Sequence, residues 1–260
     1  MGNCRNCSEP VDGNFCSNCG EPAVLEKIDK RYFVNELKGV VGVQSGFWQS
    51  IKKLLFSPGE SARHYIEDDR NKFVKPVMFL IFTSLLYTIV NNLFGSQAEE
   101  FAETGFDATL NYVMNWVFIE NYGYTNLVLC FLTAFFIKGF FKKYNRNIYE
   151  CFVLLCFLGG VVNVISSIPI VLGGFLPEAA AGVLEGVILL FALIYYIAGI
   201  ASFFDRKKAG NYIKAFFATL IPILILMIVL IAVVFVLGIA VFGAEGLFEE
   251  GIYEESMYGD

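Results

Sequence analysis

The sequence predicts an all-α polytopic membrane protein of about five transmembrane helices, headed by a small N-terminal Cys4 zinc-ribbon or knuckle module. Three observations carry that prediction. The 260 residues are 56% hydrophobic and 17% charged, with mean hydropathy +0.59, well to the apolar side of soluble domains. Apolar stretches recur at 74–94, 125–141, 151–174, 182–204 and 215–242, lengths suited to a hydrocarbon core of about 30 Å. Cys4, Cys7, Cys16 and Cys19 form two C-x2-C pairs separated by eight residues.

The head, residues 1–22, is read from those cysteines. Each C-x2-C turn offers two thiolates, and four together suit one tetrahedral zinc ion, with Gly13 and Gly20 expected to allow the chain reversals. Two disulfides are the competing reading. Paired C-x2-C turns recur in metal sites, and a cytoplasmic head would sit in reducing surroundings, both of which favour the ion. Four cysteines leave no coordination position for water, so the zinc is expected to be structural and to supply the folding free energy that so short a segment cannot gain by burial.

Residues 23–73 are expected to form amphipathic and juxtamembrane helices. From Lys27 to Phe56, apolar Phe33, Leu37, Val40, Val41, Phe47, Trp48, Ile51, Leu54 and Leu55 recur at helical spacing with lysines and an arginine between them. Two readings stay open: a basic helix lying in the inner-leaflet interface, or a helix packed on the protein's own membrane domain. Ser57, Pro58 and Gly59 end this stretch. Then Arg63, His64, Arg70, Lys72 and Lys75, with Tyr65 and Phe73 among them, lead into the first span, where cationic and aromatic side chains anchor a helix at the headgroups. Arg63, Tyr65 and Arg70 are the candidate contacts to lipid headgroups or a partner.

The double C-x2-C knuckle, the amphipathic stretch, Pro58-Gly59, Arg63, Tyr65-Ile66, Arg70 and Pro76 before an apolar helix resemble a large family of uncharacterised bacterial zinc-ribbon multi-pass membrane proteins. The resemblance covers roughly the first ninety residues. Asp68 and Asp69 depart from it, standing where the family usually has glycine and a basic residue. Five spans with the N-terminus inside are also similar in topology to the Yip family of membrane-trafficking proteins.

The first span, 74–94, is followed by a loop, Gly95 to Tyr124, with five acidic residues and no basic one. Within it Leu110, Val113, Met114, Val117 and Phe118 mark one face of a short helix that rests on the outer surface or caps the bundle; a lid over a ligand is the alternative. The second and third spans are joined by KKYNRN, and the third carries Gly159-Gly160, Asn163, Ser166, Ser167 and Pro169, residues that let helices approach and hydrogen-bond in lipid. The fourth span is followed by DRKKAGNYIK. The fifth contains Pro222 and is long enough that it must tilt, kink or protrude. The acidic tail is 243–260.

The three segments placed outside carry five, one and six acidic residues and none of the 19 lysines and arginines. This asymmetry predicts a multi-pass protein of the cytoplasmic (inner) membrane with the N-terminus cytoplasmic and the C-terminus outside. Met1 to Lys30 has no apolar core of signal-peptide type, which agrees with that orientation. The acidic pI, near 5.0, speaks against a nucleic-acid partner.

The single histidine, His64, lies outside the spans, so no intramembrane histidine-dependent catalytic site can be built, and no enzyme is expected. Glu185, and less so Glu150, are the ionisable groups near span ends; Glu185 is either a transport residue or a carboxylate solvated by the outer headgroups. The leading expectation is a scaffold or signalling protein whose zinc module docks a cytoplasmic protein or anionic lipid. The alternative is a small-solute or ion transporter or channel using Glu185 and kinked third and fifth spans.

Overall fold

The computed structural model describes residues 2–20, 22, 47–68, 70, 73–95 and 105–246. Most of the amphipathic stretch from Lys27, Glu99, Glu100 and Glu103 of the first acidic loop, and the tail from 247 lie outside the described residues. The head contains a two-residue antiparallel ladder, β1 (Gly2–Asn3) with β2 (Pro10–Val11), and a bridge between Phe15 and Pro22. Helices α1 (Phe47–Phe56) and α2 (Pro58–Glu67) meet at Ser57. Proline at the first helical position costs no hydrogen bond and has a φ already suited to the helix, so Pro58 opens α2 as it closes off α1.

Five helices long and apolar enough to cross a membrane follow: α3 (Pro76–Phe94), α5 (Tyr122–Phe140), α6 (Ile148–Gly173), α7 (Glu178–Asp205) and α8 (Ala209–Gly246). Between the first two lie α4 (Gly105–Asn115) and a π-helical turn, Trp116–Glu120. Helix α6 is the axis of the bundle, buried on all sides from Cys151 to Val161 and packed by α3, α5, α7 and α2. Its start is fixed by a capping box in which Asn147 Oδ1 accepts from the Glu150 N–H and the Glu150 carboxylate accepts from the Asn147 N–H. That gives Glu150 a structural task at the helix end.

Close helix contacts depend on glycine. A Cβ on Gly160 would stand 2.4 Å from the Phe79 ring of α3, and one on Gly199 of α7 would stand 2.3 Å from Leu158 Cδ2 of α6. Pro169 and Pro222 both lie inside continuous helices. Helix α8 has 38 residues, about 57 Å at 1.5 Å per residue, which exceeds a hydrocarbon core of about 30 Å. The excess is sheathed by α4 and the π turn, whose Val113 and Val117 bury against Leu230 and Val234, with Leu110, Met114 and Phe118 packed around them. The apolar face legible in the loop is therefore the face that docks, on the acidic end of the bundle.

At the opposite, basic end three segments converge. Arg146 pairs with Glu67 of α2 and, at 3.8 Å, with Glu150; Asn211 Nδ2 donates to Tyr144 Oη at 2.9 Å; and Phe141 stacks on Phe204 with centroids 4.0 Å apart. Lys208 pairs with Asp205 at 2.5 Å, which raises the lysine's pKa above its ordinary range.

Candidate metal centre and the polar sites of the bundle

Two similar turns build the metal centre. The Ser8 N–H donates to the Cys4 carbonyl at 2.9 Å, and the Gly20 N–H donates to the Cys16 carbonyl at 2.8 Å, so each cysteine pair is wound into one tight turn. Each turn exits through a left-handed residue, Ser8 (φ 63°) and Gly20 (φ 73°). Gly20 serves as expected, whereas the first reversal falls on Ser8 and not on Gly13. Ser8 can hold this conformation because a small polar side chain clashes least there after glycine and asparagine or aspartate.

The turns bring the four Sγ atoms within 4.8 Å of one another, with Cys4 and Cys19 3.4 Å apart and Cys7 and Cys16 3.6 Å apart. None of the seven cysteines is disulfide-bonded. Cys4 and Cys16 are buried, Cys7 is half-buried and Cys19 is exposed, so the cluster is closed on its inner side and approachable at one corner. Backbone N–H groups of Cys7 and then Asn6 point at Cys4 and hold its thiol down to about 7. Four sulfurs at these separations can hold one metal ion.

The other candidates are placed apart from this centre. Arg63, on α2, donates from Nη2 to the Ser202 carbonyl at 2.7 Å, and Tyr65 is buried edge-on against Phe157 with centroids 5.3 Å apart. Arg70 is half-buried just beyond α2. All three belong to the basic end, where α2 is wedged against α6 and α7. Gly59 makes the wedge possible, since a Cβ there would lie 2.6 Å from the Gly199 carbonyl oxygen. Glu185 is exposed on α7. Cys130, Cys151 and Cys156 are buried packing residues.

A polar cluster joins three spans. The Asn163 side chain of α6 meets Tyr122 Oη at 2.7 Å, Ser84 Oγ at 3.0 Å and Asn126 Nδ2 at 3.1 Å. Asn163 was legible as a residue able to bond between helices; Asn126 was not, because a lone asparagine on an otherwise apolar span shows no partner in sequence. Hydrogen bonds of this kind hold transmembrane helices together, so Asn163→Leu is expected to lower bundle stability by about 1–2 kcal/mol, read as an earlier unfolding midpoint in detergent. An unchanged midpoint would show that packing alone holds these helices.

Residues 44–88 match a family described as Protein of unknown function (DUF3667). The matched segment spans α1, α2 and α3 through Thr88, and it does not include the cysteine head. No curated protein and no solved structure matches the chain.

Proposed function

We propose that this chain is a scaffold or signalling protein of the cytoplasmic membrane, whose zinc-bound head docks a cytoplasmic protein partner. The observation that carries the reading is the all-cysteine donor set. A tetrahedral zinc with Zn–S of about 2.3 Å has S–S edges of about 3.8 Å, close to the separations found at 3.4 and 3.6 Å. With four thiolates filling its sphere and no fifth group converging on it among the described residues, such an ion shapes a rigid surface and does not activate water. Placing the basic end in the cytoplasm puts the thiols where they stay reduced. The reading is of a binding protein and not an enzyme.

The test is affinity capture in mild detergent, with in-cell cross-linking, on the parent chain and on Cys16→Ser/Cys19→Ser. Partners that cross-link to the parent and are lost both on chelation and in the variant support docking. Recovery of the same partners by the variant would refute it. The transporter reading rests on Glu185, which is exposed on α7, and on kinks at Pro169 and Pro222 inside the third and fifth spans; flux in proteoliposomes that is lost in Glu185→Gln would favour it over the scaffold.

A further inference from the structure

The elbow between α1 and α2 holds an open cleft of about 420 Å³ lined by Lys52, Lys53, Phe56, Ser57 and Ser61. Its position relative to the bundle says what surrounds it. The Tyr195 hydroxyl of α7 donates to the Leu54 carbonyl at 2.8 Å, and Gly59 abuts Gly199, Ser202 and Phe203. Measured along α7 from its basic end at Asp205, those residues lie about 3 to 15 Å in, at a rise of about 1.5 Å per residue. The spanning part of α7 has 27 residues, about 40 Å, so about 5 Å at each end extends past a 30 Å hydrocarbon core. The elbow thus straddles the boundary between headgroups and acyl chains.

Chemistry at the elbow matches that level. Phe56 is 77% exposed, an apolar ring directed away from the bundle at a depth where acyl chains would meet it. Lys52 and Lys53 are exposed, and among the described residues neither has a carboxylate within ion-pair reach. Lys53 Nζ stands 5.3 Å from the Phe73 ring, which restrains that side chain at the rim. Ser57 makes no capping bond with its hydroxyl, leaving the hydroxyl available at the start of α2. Glu60 is exposed and does not line the cleft. Two ammonium groups paired with no carboxylate among the described residues, a hydroxyl outside any capping bond and an adjacent apolar ring line one cleft and form an amphipathic receptor.

We infer that the α1–α2 elbow binds the phosphate of an anionic phospholipid through Lys52, Lys53 and Ser57, with Phe56 against its acyl chains. The inference does not rest on the metal centre, and it relocates lipid recognition from Arg63 and Tyr65, which the fold engages inside the bundle, to the elbow beside them.

The experiment uses the purified full-length chain in detergent, presented with an equimolar mixture of dioleoylphosphatidylglycerol and dioleoylphosphatidylcholine, and reads retained lipid by native mass spectrometry. The parent is expected to retain phosphatidylglycerol preferentially. Lys52→Gln and Lys53→Gln should each weaken retention roughly fivefold, a single basic residue's contribution near an anionic surface. Ser57→Asp should weaken it as well, although aspartate at a helix N-cap favours the fold, so an undiminished unfolding midpoint separates lost binding from lost structure. Lys207→Gln, at the basic end outside the cleft, and Cys16→Ser, in the head, should leave retention as in the parent. Equal retention of phosphatidylcholine would overturn the proposal. So would a loss in Lys207→Gln matching that in Lys52→Gln, or displacement of the lipid by inorganic phosphate at concentrations no higher than those of the lipid itself.

Discussion

Gly59→Ala will loosen the grip of α2 on the membrane helices, with a loss of about 2–3 kcal/mol. A single methyl suffices because the added Cβ would lie 2.2 Å from Ser202 Oγ, 2.4 Å from the Phe203 nitrogen and 2.6 Å from the Gly199 oxygen. Two of these three atoms belong to the backbone of a packed helix and cannot turn aside. For α2 to move out, it must also give up the bond from Arg63 to the Ser202 carbonyl and pull Tyr65 from between Phe73 and Phe157. Gly182→Ala is the control, since a Cβ there meets nothing within 4 Å, and alanine is the better helix former by roughly 0.5–1 kcal/mol. The two variants should therefore shift the detergent unfolding midpoint in opposite directions. A Gly59→Ala protein as stable as its parent would mean that α2 is not seated as described.

On the proposed one-zinc head, Cys16→Ser will bring the zinc content to essentially none and unfold the head, while helix content by circular dichroism stays at the parental level. Coordination by thiolates in modules of this size is worth roughly 10 kcal/mol or more, far beyond what the few buried side chains among the described residues of the head can replace. The membrane helices keep their own core, built around α6, and do not draw on that energy. Metal retention should also fall on acidification. With its thiol held down to about 7, Cys4 favours the thiolate state above that pH; protons compete with the ion as the pH falls through it. Titrating the protein downward from about pH 8 against a competing chromogenic zinc indicator reads the weakening, and an affinity that does not fall with pH would contradict a thiolate site.

Much of this architecture was legible without coordinates, and the reason differs by element. The spans are visible because the bilayer demands contiguous apolar residues, a constraint that acts along the chain. The helix at Gly105–Asn115, between the first two spans, showed its docking face through the spacing of Leu110, Val113, Met114 and Val117, a local helical periodicity. The four cysteines were visible because C-x2-C spacing is itself a local geometry. The exit through Ser8 was not, since serine carries no strong left-handed preference and Gly13 offered the obvious alternative.

Residues that act across the bundle stayed hidden. Arg63, Tyr65 and Arg70 have the composition of interfacial anchors, yet Arg63 and Tyr65 are engaged within the bundle because α2 is wedged against α7, and nothing in residues 58–67 names that neighbour. Asn126 and Ser84 gain a role only when Asn163, distant in the chain, is brought between them. Lys52 and Lys53 read only as part of a basic amphipathic stretch, and Ser57 as its end, until the elbow is placed at the depth of Tyr195 and Gly199.

By itself the sequence determined the number of apolar helices, the charge asymmetry of their connections and the cysteine cluster of the head, because each depends on residues near one another in the chain or on a property of the surrounding solvent. Tertiary structure alone decided that α6 is the axis, that Gly59 must remain glycine, and that one pair of lysines shares a cleft with an exposed phenylalanine. Those facts depend on which helices touch and at what depth, and helices find their neighbours in lipid through shape and paired polar groups that no single segment displays.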